Sequence, residues 1–197
     1  DDFLPLKTYV NIAEGNALKI DWNSVVLAKS LSYIMGNPPF VGARLMEQGS
    51  VQKKEVQNIF GKIKDVQDLD YVTCWYKLAA AYIQNTRIQV CFVSTNSIYQ
   101  GSQVPILWNV LYKDYSIHIN FAYQTFKWSS ESSTQAAVHC VIVGFAQFNR
   151  NEKRLFSTEA TSKIVSNISP YLVEGSDTFV VAMKESLDGM PKMSFGN

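Results

Sequence analysis

Cysteine is scarce in this chain of 197 residues: Cys74, Cys91 and Cys140 lie far apart and no CxxC pair occurs. Histidine is scarcer still, with His118 and His139 the two present. Neither a four-ligand zinc site nor a disulfide framework fits that inventory. Long hydrophobic runs are missing too. No apolar stretch reaches membrane-span length, and Asp1 to Lys7 lacks the basic region and apolar core of a signal peptide, so the sequence reads as soluble and cytoplasmic. An excess of either charge is also lacking, since eighteen basic residues against seventeen acidic ones leave a formal net charge of +1. A domain that holds nucleic acid chiefly by electrostatics is far more basic. Gly42 to Ser50 has neither the glycine spacing nor the Gly-Lys-Ser/Thr ending of a phosphate loop. The chain opens on Asp-Asp-Phe-Leu-Pro without an initiating Met, and Lys192 to Asn197 supplies neither a cap nor a stop signal; a piece of a longer protein is expected.

What is there is apolar bulk, 47% of the residues, enough to bury a sizeable core and to argue against intrinsic disorder. Tyr9 to Ala13 is a short extended candidate, and Glu14-Gly15-Asn16-Ala17-Leu18 follows, where glycine permits a turn. Leu31 to Met35 is a short strand halted by Gly36-Asn37-Pro38-Pro39, because consecutive prolines neither donate to a sheet ladder nor continue a helix. Val41 to Asp70 turns polar and charged and reads as a long surface connection, or helix plus loop. Asp68 or Asp70 suits the cap of the next segment, in which Val72, Trp75, Tyr76, Ala79 and Ile83 recur at helical spacing.

Ile88 to Val93 then reads as a strand closed by Ser94-Thr95-Asn96-Ser97, and Pro105 suits the first turn of a helix carrying Leu107, Val110 and Leu111. Ile117 to Phe126 is a further strand. After polar Ser129 to Gln135 comes Ala136 to Phe145, an almost unbroken apolar strand, and these last two are expected to pair antiparallel. Strands alternating with helices predict an α/β fold, an incomplete doubly wound and mostly parallel sheet to which the closing pair adds an antiparallel edge. Beyond Asn149 to Arg154 the pattern loosens, with Phe179 to Met183 alone resembling a strand, and a boundary is placed near residue 155.

The sharpest local feature is Asn37-Pro38-Pro39-Phe40 directly after a strand. An asparagine at a strand's carboxyl end, followed by two residues that fix the backbone, sets a side-chain carbonyl beside a main-chain carbonyl at the edge where open α/β sheets bind ligands. Two adjacent acceptors suit a flat amino group with two hydrogens, and the ring of Phe40 suits the face of a heterocycle. The set fits an exocyclic amine on a planar base. His139 beside Cys140 is not a nucleophile pair, because adjacent strand residues face opposite sides of the sheet. Trp75 and Tyr76 read as core.

Asn-Pro-Pro-Phe resembles the catalytic motif of class I adenine-N6 DNA methyltransferases, and further segments agree in order. Glu14 to Leu18 with Asp21-Trp22 looks like the motif that contacts the cofactor's adenine, although the family more often has Asp where Asn16 stands. Cys91 to Ser97 looks like the strand and turn behind the pocket. Phe126-Lys127-Trp128 with Ala137 to Phe145 is similar to the closing hairpin of single-chain restriction and modification enzymes of the MmeI type, which fuse a nuclease, a methyltransferase and a target-recognition domain. The resemblance spans roughly residues 9 to 148, and the tail from about Ile168 is similar to the start of their recognition region.

It implies an incomplete Rossmann-like fold that uses S-adenosylmethionine, with residues 1–155 as the later part of the catalytic domain and 156–197 as linker and start of the recognition region. The family's glycine-rich cofactor turn and its nuclease motif do not occur in the sequence. By the resemblance, Asn37 and Pro38 accept the two amino protons of an adenine swung out of duplex DNA, Pro39 completes the motif and Phe40 stacks on the base. Either Phe126 or Trp128 packs against the base from the hairpin. Asn16, Ala17 and Asn37 contact the cofactor, and no metal is implied.

Two rival readings accompany this one. A related Asn-Pro-Pro-Tyr motif serves planar amides, so a protein glutamine or an RNA base is the alternative substrate, though Phe40 and the hairpin favour DNA. The other rival is a scaffold role for an isolated piece. Lys53, Lys54, Lys62 and Lys64 either track DNA phosphates beside the pocket or, with Glu47, Glu55 and Asp65 among them, form a solvated face.

Overall fold

The computed structural model describes residues 11–128, 138–157 and 161–181, with the side chain of Trp128 left out. Six strands form one sheet among these residues: β1 (Tyr33–Gly36), β2 (Gln89–Thr95), β3 (His118–Trp128), β4 (Val138–Ala146), β5 (Lys153–Phe156) and β6 (Ser162–Val165). Their order across the sheet is β1-β2-β4-β3-β5-β6. The pairs β1/β2 and β3/β5 are parallel, while β4 and β6 lie antiparallel to every neighbour they have. Four strands therefore run one way and two the other, giving the mostly parallel α/β sheet that the alternating pattern predicts. The expected pairing of β3 with β4 is present, but β4 is inserted between β2 and β3 and is not an edge. An uninterrupted apolar stretch suits that interior position, flanked on both sides by partners.

Helix α1 (Trp22–Val25) precedes β1, α2 (Val51–Phe60) and α3 (Thr73–Tyr82) lie between β1 and β2, and α4 (Gln103–Tyr115) lies between β2 and β3. Of the two readings of 41–70, helix plus loop is the one found. Ser50 caps α2 by accepting from the Lys53 N–H at 3.3 Å, and Gly61, at φ 68°, ends it in a conformation that costs a glycine little. α3 follows the predicted spacing, but no side chain caps it: the hydroxyl of Thr73 donates to the main-chain carbonyl of Asp70, whose carboxylate is turned elsewhere. Pro105 lies in the first turn of α4 as expected, and Ser116, left-handed at φ 52°, terminates that helix.

One face of the sheet packs on α3 and α4. Ile34, Val90, Phe92, Ser94, Val141, Val143 and Phe145 share it by register. Tyr76, fully buried, is the hub: its ring stacks on Phe145 at 5.3 Å and meets Phe92 at 5.4 Å and Trp108 at 5.9 Å edge-on, while its hydroxyl pairs with Ser94 Oγ at 2.8 Å. Core placement of Tyr76 agrees with the sequence; Trp75 is half-buried with its ring edge-on to Tyr71 at 5.1 Å. His139 is exposed and Cys140 buried, on opposite faces as strand alternation requires.

Several expectations are corrected. Residues 11–13 have no regular structure, and the rest of the Tyr9–Ala13 candidate lies outside the described residues. β5 and β6, which the sequence pattern did not show, continue the same sheet to Val165. Residues 179–181 are not a strand, and 182 and 183 lie outside the described residues. No helix among the described residues is long and apolar enough to cross a membrane.

Candidate active site

β1 ends at Gly36, opposite Phe92 on β2. A Cβ there would sit 3.3 Å from the Phe92 ring, so the strand approaches β2's aromatic side chain more closely than a larger residue permits. Past this point Asn37 is exposed, Pro38 is buried, Pro39 is exposed, and Phe40 is half-buried with its ring packed against the core. The backbone is thus anchored at alternate positions while the Asn37 side chain faces solvent at the carboxyl end of a parallel strand.

What fixes the loop beyond is Asp70, a residue that helix patterning treats only as a cap. It is 6% exposed. Its Oδ1 accepts from the Ala43 N–H at 2.6 Å, and its Oδ2 accepts from the Ser97 hydroxyl and from Gln103 Nε2, the latter at 3.1 Å. Gln103 returns a contact by accepting from the Asp70 N–H at 3.2 Å. One carboxylate therefore ties the loop after β1 to the turn after β2. Ser97 is held in place by Thr95 at 2.8 Å, so the Ser94–Ser97 turn singled out in the sequence joins the Asn37 loop as part of one edge.

The segment around Asn16 reaches the same edge by another route. Gly15 takes φ 147°, a backbone region that favours glycine, and an added Cβ would lie 2.9 Å from Ile20 Cδ1. Asn16 Oδ1 accepts from the Leu18 N–H at 2.8 Å, and Asn16 Nδ2 donates to Glu55 Oε1 at 2.7 Å. Ala17 is exposed, and its carbonyl accepts from Trp22 Nε1 at 2.8 Å. The other oxygen of Glu55 accepts from the Tyr71 hydroxyl at 2.5 Å, while the Tyr71 N–H donates to the Val41 carbonyl at 2.9 Å. Tyr71 thereby links the Asn16 segment to the loop that follows Phe40. Burial, followed by the hydrogen bond to Glu55, pushes the Tyr71 phenol far above its ordinary value.

Glu55 is buried and Lys53 spends its amine on the carbonyls of Gln67 at 2.8 Å and Ala43 at 3.4 Å, so these two depart from a solvated face. Glu55 and Asp70 are the residues that motif reading misses. Their signal, an acid inside an otherwise buried helix face or helix entry, is visible only once the packing is known.

Phe126 lies opposite Cys140, which lies opposite Thr95 at the end of β2. A row across β2, β4 and β3 brings this half-buried aromatic to the same sheet edge, with its ring 5.4 Å from Tyr123 and edge-on. The Tyr99 hydroxyl pairs with Thr125 Oγ1 alongside. Trp128 closes β3, and its side chain lies outside the described residues.

A mostly parallel sheet carrying an Asn-Pro-Pro-Phe loop at a strand's carboxyl end, cross-tied to the turns beside it, defines the Rossmann-like class of α/β proteins whose site lies along that edge. The family model described as MmeI, DNA-methyltransferase domain, matches residues 1–157, and the chain belongs to that family. It is 41% identical over 196 residues to DNA methyltransferase A of Bacillus subtilis (strain 168), covering 98% of this chain and 22% of that protein. It is also similar to the solved structure of the Type IIL restriction-modification enzyme MmeI in complex with DNA. That match has a TM-score of 0.88 and 44% identity, over 95% of this chain and 26% of the other. The chain thus spans about a quarter of the length of the relatives it matches.

Proposed function

We propose that the chain is the later part of the catalytic domain of a methyltransferase that uses S-adenosylmethionine to methylate N6 of adenine in duplex DNA. In this reading residues 1–155 belong to that domain and 156–197 open a target-recognition region. The whole is a longer bacterial, cytoplasmic restriction-modification polypeptide with a nuclease domain. The observation that carries it is the exposed Asn37 at the end of β1, followed by buried Pro38 and by Phe40 packed against the core.

The residues that would receive the cofactor fit one end of it. Asn16 offers an amide oxygen in the exposed turn, beside the backbone of Ala17, a pairing suited to an adenine edge with a donor next to an acceptor. When bound, the cofactor supplies an activated methyl group on sulfur. Positioning the target base falls on this chain. The target base leaves the stack so that its amino nitrogen is reachable, and Phe40 takes one face of it. Asn37 Oδ1 and the Pro38 carbonyl accept the two amino hydrogens, which orients the nitrogen lone pair outward and relieves the positive charge it gains. Phe126 or Trp128 packs on the base from the hairpin. No covalent enzyme intermediate is needed, so orientation supplies much of the rate.

The experiment is Asn37→Ala in the full-length polypeptide that carries this segment. Methyl transfer falls by about a hundredfold or more while duplex affinity stays near the parent value. Normal turnover overturns the role of Asn37, and methylated product found on a protein amide instead of N6 of adenine overturns the substrate. Calorimetry with S-adenosylmethionine gives weak or absent binding to residues 1–197 alone and clear binding to the longer polypeptide.

A further inference from the structure

Position 16 is asparagine in this chain. Glu55 supplies a physical reason. Its side chain is 6% exposed, and Oε1 lies 2.7 Å from Asn16 Nδ2 and 3.4 Å from Lys19 Nζ, while Oε2 accepts from Tyr71. An amide nitrogen is needed where Asn16 meets it. An aspartate would set a carboxylate oxygen against a carboxylate oxygen at that distance, and like charges so close repel. The opposite end of the amide is fixed as well, since Oδ1 accepts from the Leu18 N–H. With Nδ2 on an anion and Oδ1 on a donor, only one of the two amide orientations satisfies both contacts.

We propose that Glu55 is a positioning residue: it locks the Asn16 amide with its oxygen available to the cofactor's adenine, and it makes asparagine rather than aspartate the residue that works at position 16. This rests on the reading of Asn16 as a cofactor contact. The lock reaches the catalytic loop too, because the Tyr71 that completes the Glu55 carboxylate holds Val41, one residue beyond Phe40.

The test is a double-variant cycle in the full-length polypeptide, reading KM for S-adenosylmethionine, kcat at saturating cofactor, and the melting temperature. Asn16→Asp raises KM about tenfold with kcat within about twofold, because residues 11–17 are exposed and their displacement leaves the core intact. Adding Glu55→Gln restores KM to within about threefold, since the new amide donates to the aspartate and still accepts from Tyr71. A parent-like KM in Asn16→Asp, or no recovery in the double variant, overturns the proposal. If Asn16→Asp alone does not fold, the double variant decides: a folded protein with parent-like KM supports the coupling and a raised KM overturns it. Asn16→Ala separates the two levels. Loss of cofactor affinity there with a parent-like Asn16→Asp sinks only the role of Glu55. Unchanged affinity in Asn16→Ala sinks the cofactor contact itself, while the methylation assay on duplex DNA still stands on Asn37.

Discussion

Asp70 carries more of the site than any residue that a motif search selects. Its carboxylate satisfies a main-chain N–H on one loop, a hydroxyl on a second and an amide on α4. Truncation to Ala leaves those donors without an acceptor in a buried setting, where each costs about 1–3 kcal/mol. Asp70→Ala is therefore expected to lose about 2–4 kcal/mol in urea denaturation, after partial rehydration of the loops. Turnover falls further than stability requires, about tenfold at a temperature where the variant is fully folded, because the loop that starts at Asn37 is released. Full activity in the folded variant would separate the loop ties from the site. The exposed loop at Asn37 was legible because four consecutive residues write a strand end, whereas Asp70 and Glu55 gain meaning only from partners 27 and 39 positions away in sequence.

Elements were legible in proportion to how continuous their burial is. α3 and α4 show apolar residues at helical spacing because each buries one face, and β4 shows an unbroken run because both of its edges are paired and its residues from Cys140 onward are buried or half-buried. β5 and β6 hid for the opposite reason. In β5 the residues facing inward are Lys153 and Leu155, and in β6 Val165 alone is buried, so neither presents the alternation of a half-buried strand. The insertion of β4 between β2 and β3 is equally unreadable, since pattern fixes that two strands pair but not which third strand joins them. The contact of β1 with β2 gives a test at this scale. Phe92 is wedged against Tyr76 and Phe145 and has little room to yield to a Cβ at position 36. Gly36→Ala should destabilise by about 1–2 kcal/mol, and Phe92→Leu in that background should recover part of it. A neutral Gly36→Ala in thermal denaturation would mean that the ring shifts freely.

Across the whole molecule, the polar cluster that seats the 165–179 stretch on the sheet predicts how stability follows pH. The Lys153 amine, buried on β5, donates to Asn167 Oδ1 at 2.6 Å, and Asn167 Nδ2 donates to Asp177 Oδ1 at 2.8 Å. His118, at the start of β3, has its pKa lowered from 6.5 by burial first and by Lys153 second, against the pull of Asp177. Below pH 6.5 the unfolded chain binds this proton before the folded one does, so stability is lost as pH falls through that value. On the alkaline side the signs reverse. Burial raises the Cys74 thiol from 9.0 to about 12, raises Cys91 and Cys140, and raises Tyr71, Tyr76 and Tyr112 above 10.0. The unfolded chain releases these protons first, and stability falls as pH climbs past 9 and then 10, even though Lys153, lowered by burial, works in the other direction. Melting temperature should form a plateau between about pH 7 and 8.5 with a shoulder on each side. His118→Asn should flatten the acid shoulder, and Cys74→Ala should shrink the first part of the alkaline one, to which Cys91 and Cys140 still contribute, while leaving the tyrosine part in place. An acid shoulder equally steep in His118→Asn would move its origin from this cluster to the carboxylates that hold the loops.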